Sequence, residues 1–154
     1  MMKVPFADFG PMHKLIGKEV LEKMTEVYHK NQFIQGEECS KFEEEFAQYC
    51  GVDYCIGCGN GLDALCLILM AYGIGEGDEV IVPSNTFIAT ALAVSSVGAT
   101  PVFVEPVLEY FNIDVNRIEE KITSHTKAII AVHLYGQPAD MNPINEIARK
   151  YGLR

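Results

Sequence analysis

The stretch "DEVIVPSNTFIATALAVSSVGATPVFVE", residues 78–105, decides the fold class. It begins with a short apolar run, "VIVP", continues with a longer amphipathic run that ends at Gly98, and closes with a second short apolar run, "PVFV". Neither short run alternates between apolar and polar residues, which is typical of strands that are covered on both faces. A strand, a helix and a strand in this order predict a parallel pair joined by a crossover helix.

The same pattern recurs on both sides of this stretch. The chain contains four strand-then-helix units, and "VIVP" with the amphipathic run after it is one of them. The other three are "YCIG" before "GLDALCLILMAYG", "TPVFVEP" before "NRIEEKI", and "KAIIAVHLYG" before "MNPINEIARKYG". The sequence therefore predicts an α/β fold, a mostly parallel sheet with helices on both faces.

The first third of the chain has a helical period instead. "PMHKLIGKEVLEKMTEVYH" and "EECSKFEEEFAQYC" place apolar residues three and four positions apart, and "KNQFIQG" separates them. We therefore expect an N-terminal helical segment, 1–53, and an α/β domain, 54–154. The last residues, "KYGLR", follow a helix at the point where another buried strand is expected. We accordingly expect the chain to be the front part of a longer protein.

The composition is typical of a globular protein with a large core. Of 154 residues, 49% are hydrophobic and 21% are charged. The net charge of −9 argues against a nucleic-acid partner, because binding to phosphates needs clustered basic side chains. Neither a signal peptide nor a membrane-spanning run is visible, so we expect a soluble, cytoplasmic protein with no membrane partner.

Five cysteines, an odd number, favour free thiols in a reducing compartment. Cys55 and Cys58 form a CxxC pair, but neither a second pair nor a suitably spaced histidine completes a zinc-binding set. We therefore expect no metal.

The turn "CIGCGNGLDAL", residues 55–65, is a candidate phosphate site because it places glycines before a predicted helix. A dinucleotide-binding G-x-G-x-x-G motif would need glycine where Leu62 stands, and a Walker A motif is absent. A turn without any ligand remains an alternative. In the next strand-to-helix loop, "PSNTF", Phe87 either stacks on a flat ligand or belongs to the core.

Several of these motifs in this order resemble the DegT/DnrJ/EryC1/StrS family of sugar aminotransferases, which depend on pyridoxal 5'-phosphate. The resemblance is carried by "FIQGEECSKFEEEFAQYCGVDYCIG", "GNGLDAL", "GIGEGDEVIVPSNTFIATALAVSSVGATPVFVE" and "NIDVNRIEEKITSHTKAIIAVHLYGQPADM". It implies that the chain is the front portion of the large, cofactor-binding domain of a type I aminotransferase.

The resemblance also implies which residues hold the cofactor. Gly61 and Leu62 match the positions that bind its phosphate, Asn60 is a supporting polar group, and Phe87 matches the aromatic residue that stacks on the pyridine ring. Leu62 departs from the threonine frequent in the family, so only its backbone N–H can serve. We expect Asp140 to cap the following helix, and His133 either lines the pocket or is a core histidine.

By resemblance, the reaction transfers an amino group from an amino-acid donor, glutamate, to a nucleotide-linked keto sugar. The residues of "GNGLDAL" and "PSNTFIAT" most resemble family members that act at C-3 of a dTDP-linked 3-keto-6-deoxyhexose. The resemblance also implies a homodimer for the complete protein. None of the chain's lysines has a recognisable Schiff-base context, and the carboxylate that pairs with the pyridine nitrogen also has no counterpart. We therefore assign no catalytic residue and expect the chain alone to be inactive. A non-catalytic binding or structural domain and a Rossmann-type nucleotide-binding protein remain alternatives.

Overall fold

The structure is a computed structural model that describes residues 4–154. The chain divides into two compact units, with the division between Gly57 and Cys58. Among the described residues, no helix is both long enough and apolar enough to cross a membrane.

The first unit contains two helices, α1 (Gly10–Lys30) and α2 (Glu37–Cys50), as predicted. Asn31 ends α1 in the left-handed conformation, and Gly51 does the same for α2. The Lys30 ammonium lies 2.7 Å from Glu38 and 3.2 Å from Glu37 across the turn between the helices. Helix α1 has no buried residue, and α2 buries Ala47 alone.

The second unit is built around a three-stranded parallel sheet. The strands are β1 (Glu79–Pro83), β2 (Thr100–Val104) and β3 (Thr126–Ile129), in the order β2-β1-β3. Three α-helices accompany them, α3 (Gly61–Ala71), α4 (Ala89–Ser96) and α5 (Met141–Tyr151). In register, Glu79 lies opposite Thr100 on β2 and opposite Thr126 on β3.

The central strand β1 has both faces buried, which explains its continuous apolar sequence. Val80 and Val82 pack in one cluster with residues of α3 and α4, whereas Ile81 packs in a second cluster that includes Ile144 and Ile147 of α5. Alternate side chains of a strand point to opposite faces, so each face needs its own apolar residues. The predicted α/β class, with a parallel sheet and helices on both faces, is confirmed.

Two local predictions were wrong. The run Tyr54 to Gly57 is not a strand, because it has no ladder partner among residues 4–154 and the Gly57 N–H donates instead to the Glu43 carboxylate at 2.6 Å. The "NRIEEKI" segment is not one α-helix but two 3-10 turns, Val115–Arg117 and Glu119–Lys121. The segment is shorter than an isolated α-helix needs to be stable.

The outer edge of β3 pairs with the last residue of the chain. The Arg154 N–H donates to Lys127 O and Arg154 O accepts from the Ile129 N–H, both at 2.9 Å. These two bonds have the arrangement of a parallel ladder. The backbone at residue 154 therefore lies beside β3 in the position of a further parallel strand.

Candidate functional site

The carboxyl ends of the strands define the edge where a ligand is expected. Because all strands run in the same direction, the loops after β1, β2 and β3 meet at one edge of the sheet, and ligands of open α/β folds bind there. Helix α4 follows β1 and so begins at this edge. Helix α3 leads into the amino end of β1 and packs beside α4, with Cys66 Sγ 3.8 Å from Ala93 O, so its first turn also points toward the carboxyl edge.

The predicted phosphate site coincides with the start of α3. Asn60 is the N-cap residue, and its side-chain oxygen accepts a hydrogen bond from the Asp63 N–H at 2.9 Å. The Asn60 amide also donates to the Asp63 carboxylate at 2.9 Å. The N–H groups of Gly61 and Leu62 occupy the first two helical positions, which find no acceptor within a helix. Two backbone donors at the positive end of α3 thus remain for an anion.

Gly61 keeps the approach to these donors open. A Cβ atom added at Gly61 would meet nothing within 4 Å, whereas one added at Gly59 would come within 2.8 Å of the Asp63 carboxylate. The Leu62 side chain points away from this opening, since it packs against the core cluster beneath α3 and α4. Leu62 can therefore offer a ligand its backbone and not its side chain.

Phe87 lies in the loop between β1 and α4 and is 77% exposed. Its ring is therefore free to contact a ligand, and the core alternative for this residue is wrong. Asn60, Gly61, Leu62 and Phe87 all belong to the second unit and to loops or helix starts directed at the same edge of the sheet.

A network of two asparagines ties the three loops at this edge together. After β1, the Asn85 amide donates to Phe111 O at 2.9 Å, while Asn85 Oδ1 is buried and accepts no hydrogen bond among residues 4–154. The Asn112 side chain, 1% exposed, donates to Gln137 O and Pro138 O and accepts from the Leu134 N–H.

The same network holds two aromatic residues in a costly backbone conformation. Phe111 has φ 61° and Tyr135 has φ 56°, in the left-handed region that bulky residues avoid at a cost of about 1 kcal/mol or more each. Their rings meet edge to face with centroids 6.0 Å apart. These residues do not stand out in the sequence, because neither a left-handed backbone nor a contact between distant loops leaves a clear pattern. The asparagine within "YFNID" is the only turn signal there.

The structure also locates the two remaining candidates. His133 is exposed, and its Nδ1 accepts the Ala139 N–H at 3.0 Å, so it orders the loop after the sheet and is not a core residue. Asp140 occupies the N-cap position of α5, but its side chain makes no capping hydrogen bond. Within residues 4–154, no group of three or more metal-ligating side chains comes together, and all five cysteines are free.

The fold and this edge define a class, parallel α/β domains in which a helix start presents free backbone donors at the carboxyl edge of the sheet. Comparison with known proteins gives a more specific result. The model of the DegT/DnrJ/EryC1/StrS aminotransferase family matches residues 14–154. The chain belongs to this family.

The dTDP-3-amino-3,6-dideoxy-alpha-D-galactopyranose transaminase of Aneurinibacillus thermoaerophilus is 56% identical over 151 residues, 98% of this chain and 42% of the relative. Streptomyces venezuelae DesV, solved with a ketimine intermediate, matches all of this chain with TM-score 0.95 and 44% identity over 42% of its own length. Bacillus subtilis NtdA, solved with the cofactor pyridoxamine phosphate (PMP), matches all of it with TM-score 0.94 and 38% identity over 36% of its length. The chain thus spans about two fifths of these relatives, and its fold is that of type I aminotransferases.

The residues at the carboxyl edge fit pyridoxal phosphate, the cofactor of this family. Its single phosphate matches the two backbone donors at Gly61 and Leu62, and its flat ring matches the exposed Phe87. The Asp63 carboxylate lies in the same first turn of α3, where it is hydrogen-bonded to Asn60. Membership of the family also removes the Rossmann-type alternative, in agreement with the absence of its third glycine at Leu62.

Proposed function

We propose that the protein is an aminotransferase that uses pyridoxal phosphate to move an amino group onto a nucleotide-linked keto sugar. The substrate we propose is a dTDP-linked 3-keto-6-deoxyhexose, aminated at C-3, with glutamate as the amino donor. The observation that carries this proposal is the open, donor-rich start of α3 at the carboxyl edge, in a chain of this family. The 56% identity to a transaminase named for a dTDP-3-amino-3,6-dideoxy sugar supports the substrate.

In this proposal the chain's own residues bind and orient the cofactor. Gly61 and Leu62 donate their backbone N–H groups to the phosphate, and Asn60 keeps the first turn of α3 in place by accepting the Asp63 N–H. Phe87 covers one face of the pyridine ring. The bound cofactor supplies the electron sink that amino transfer requires.

We further propose that residues 1–154 by themselves do not transaminate, because no lysine of residues 58–154 is placed to react at the carboxyl edge. Lys127 lies near the amino end of β3, 3.9 Å from Asp78. Lys150 is in the last turn of α5, where it pairs with Glu119 at 2.8 Å. Lys121 ends a 3-10 turn shortly before β3. We also propose the homodimer and the cytoplasmic location expected from the sequence.

The direct test supplies the complete protein, and not residues 1–154 alone, with pyridoxal phosphate, glutamate and a dTDP-linked 3-keto-6-deoxyhexose, and detects 2-oxoglutarate and the amino sugar by mass spectrometry. We expect both products to form together in equal amounts. UDP- and GDP-linked keto sugars serve as matched substrates, and turnover of one of these alone would overturn the proposed nucleotide.

A second test addresses the chain alone. Residues 1–154 are treated with pyridoxal phosphate and then with borohydride, and the adducts are located by peptide mapping. We expect no adduct specific to one lysine. Specific labelling of a single lysine in every molecule would contradict the proposal of inactivity. Cofactor binding without labelling or turnover is the result expected for the alternative, a non-catalytic binding domain.

A further inference from the structure

The loops that follow β2 and β3 present a second aromatic surface that the proposed cofactor site does not use. The Phe111 and Tyr135 rings lie edge to face at an interplanar angle of 84°, and Tyr135 is 82% exposed. Phe111 closes a tight turn in which its N–H donates to Val107 O at 2.8 Å. Glycine or asparagine is the usual residue at such left-handed positions, so two aromatic residues there need an explanation.

The core does not provide that explanation. Neither ring is buried, and their edge-to-face contact offsets only part of the cost of two left-handed backbones. The conformation is maintained by Asn85, which donates to Phe111 O, and by Asn112, whose three hydrogen bonds hold the loop on either side of Tyr135. Strained residues that the surroundings hold so firmly are typical of ligand-binding sites.

Charge indicates which part of a ligand this surface would accept. Glu105 and Glu109 are exposed in the segment that leads to Phe111, and the chain as a whole carries a net charge of −9. A diphosphate group would be repelled here, whereas an uncharged flat heterocycle would stack on an exposed aromatic face. The Tyr135 ring is accessible to such a heterocycle, and at the following Gly136 nothing outside its chain neighbours lies within 4 Å of the Cβ position.

We propose that Phe111 and Tyr135 form a binding subsite for the nucleobase of the nucleotide-linked substrate, at the same edge of the sheet as the cofactor site. This inference rests on the proposed function, because the base belongs to the proposed substrate. Phe87 and the start of α3 then serve the cofactor, and the aromatic pair serves the nucleotide.

The test measures thymidine diphosphate binding to the protein by calorimetry, with inorganic pyrophosphate as the probe that lacks a base. In Tyr135→Asn we expect binding of thymidine diphosphate to weaken about tenfold, as for the loss of one base–aromatic stack, with pyrophosphate binding unchanged. We expect the same variant to unfold at a higher temperature, because asparagine tolerates the left-handed backbone. A residue with a merely structural role would not give lower affinity together with higher stability.

Two variants control the measurement. Tyr135→Phe keeps the ring and should retain affinity, and Tyr110→Leu removes a neighbouring exposed aromatic ring outside the pair and should do the same. Unchanged binding in Tyr135→Asn, or equal losses in Tyr110→Leu, would overturn the proposal. A change in the oligomeric state of Tyr135→Asn without a change in its nucleotide affinity would also overturn the proposal. That result would mean that another protein chain, and not a nucleobase, contacts the aromatic pair.

Absorbance titration with pyridoxal phosphate is run on every variant. If the cofactor binds normally and Tyr135→Asn has no effect on thymidine diphosphate, the subsite alone is wrong. If the parent protein binds thymidine diphosphate through Tyr135 but does not bind the cofactor, the proposed aminotransferase function fails while the nucleotide site stands.

Discussion

At the scale of single residues, the proposed phosphate site depends on backbone groups and not on side chains. Gly61 and Leu62 contribute N–H donors, and Asn60 acts by fixing the helix start from which these donors project. Side-chain identity therefore matters mainly where it opens or blocks the approach. That property allows the donors to be removed one at a time without disturbing the fold.

The substitution Gly61→Pro should separate binding from stability. Proline is favoured at the first position of a helix, a Cβ at residue 61 meets nothing within 4 Å, and the extended backbone of Asn60 suits a following proline. Stability should hold, but one N–H donor is lost, so affinity for pyridoxal phosphate should fall about 10- to 100-fold. Gly61→Ala, which keeps the donor, is the control for an absorbance titration; equal affinity in both variants would contradict backbone binding.

Phe87→Leu tests the stacking role. Because the ring is 77% exposed, its loss should change the free energy of unfolding by less than about 0.5 kcal/mol. Cofactor affinity should fall several-fold, since stacking contributes about 0.5–1.5 kcal/mol. Ile88→Leu, at the neighbouring and 59% exposed position, should alter neither quantity. A loss of stability comparable to the loss of affinity would mean that Phe87 is a packing residue.

At the scale of elements, the site is shaped by loops that do not adjoin in sequence. The loop after β1 is bonded to the turn after β2 through Asn85, and that turn is bonded to the loop after β3 through Asn112. The strands alone set only which loops are neighbours. The asparagines determine how the loops lie on one another.

Asn112→Ala should be among the more destabilising changes at this edge. It leaves the partly buried Leu134 N–H and the carbonyl groups of Gln137 and Pro138 without their side-chain partner, each at a cost of at most about 1–3 kcal/mol before relaxation. We expect a loss of about 3 kcal/mol in denaturant unfolding. Asn116→Ala, an exposed asparagine in the following 3-10 turn, should lose less than about 1 kcal/mol. Similar losses in the two variants would argue against a role of the Asn112 side chain in joining these loops.

The contact between α5 and the second 3-10 turn should depend on pH. Hydrogen bonds from Lys150 and Tyr151 lower the pKa of Glu119 below its usual 4.5, and the bond to Glu119 raises the pKa of Lys150 above 10.5. The stabilisation is therefore complete between these two usual values. It is lost as the pH falls through the lowered pKa of Glu119 or rises through the raised pKa of Lys150.

Melting curves from about pH 3 to about pH 7 at low salt would detect the acid branch. Glu119→Gln should flatten that branch slightly, because the groups are exposed and solvent screens them. Glu120→Gln, the adjacent exposed carboxylate, should leave it unchanged. If both variants show the parent's pH dependence, the ion pair contributes nothing measurable.

At the scale of the whole molecule, the two units differ in how much apolar surface they bury. The second unit holds both core clusters, and Val80, Ile81 and Val82 at its centre are fully buried. In the first unit Leu15 is 82% exposed and Phe42 is 57% exposed, although both belong to the helically spaced apolar residues of the two predicted helices. An amphipathic helix gains most of its stability from packing its apolar face, so packing within the first unit contributes little to the stability of these helices.

Peptides of the two units should therefore behave differently. Residues 58–154 should unfold cooperatively, whereas residues 4–57 should show little helix by circular dichroism at low concentration. A peptide 4–57 in which the apolar residues of both helices are replaced by alanine would control for intrinsic helix propensity. Cooperative unfolding of the unmodified peptide 4–57 would contradict the prediction.

The sequence by itself determined the class of fold, because buried strands must be apolar on both faces and helices must repeat every three to four residues. It also placed Gly61 at the start of a helix and Phe87 in the loop that follows a strand. Tyr54–Gly57 shows the limit, since a strand exists only when a partner completes its ladder, and that depends on the rest of the structure. Only the tertiary structure revealed the Asn85 and Asn112 network and the Phe111–Tyr135 pair, because these contacts join loops that lie 22 to 26 residues apart.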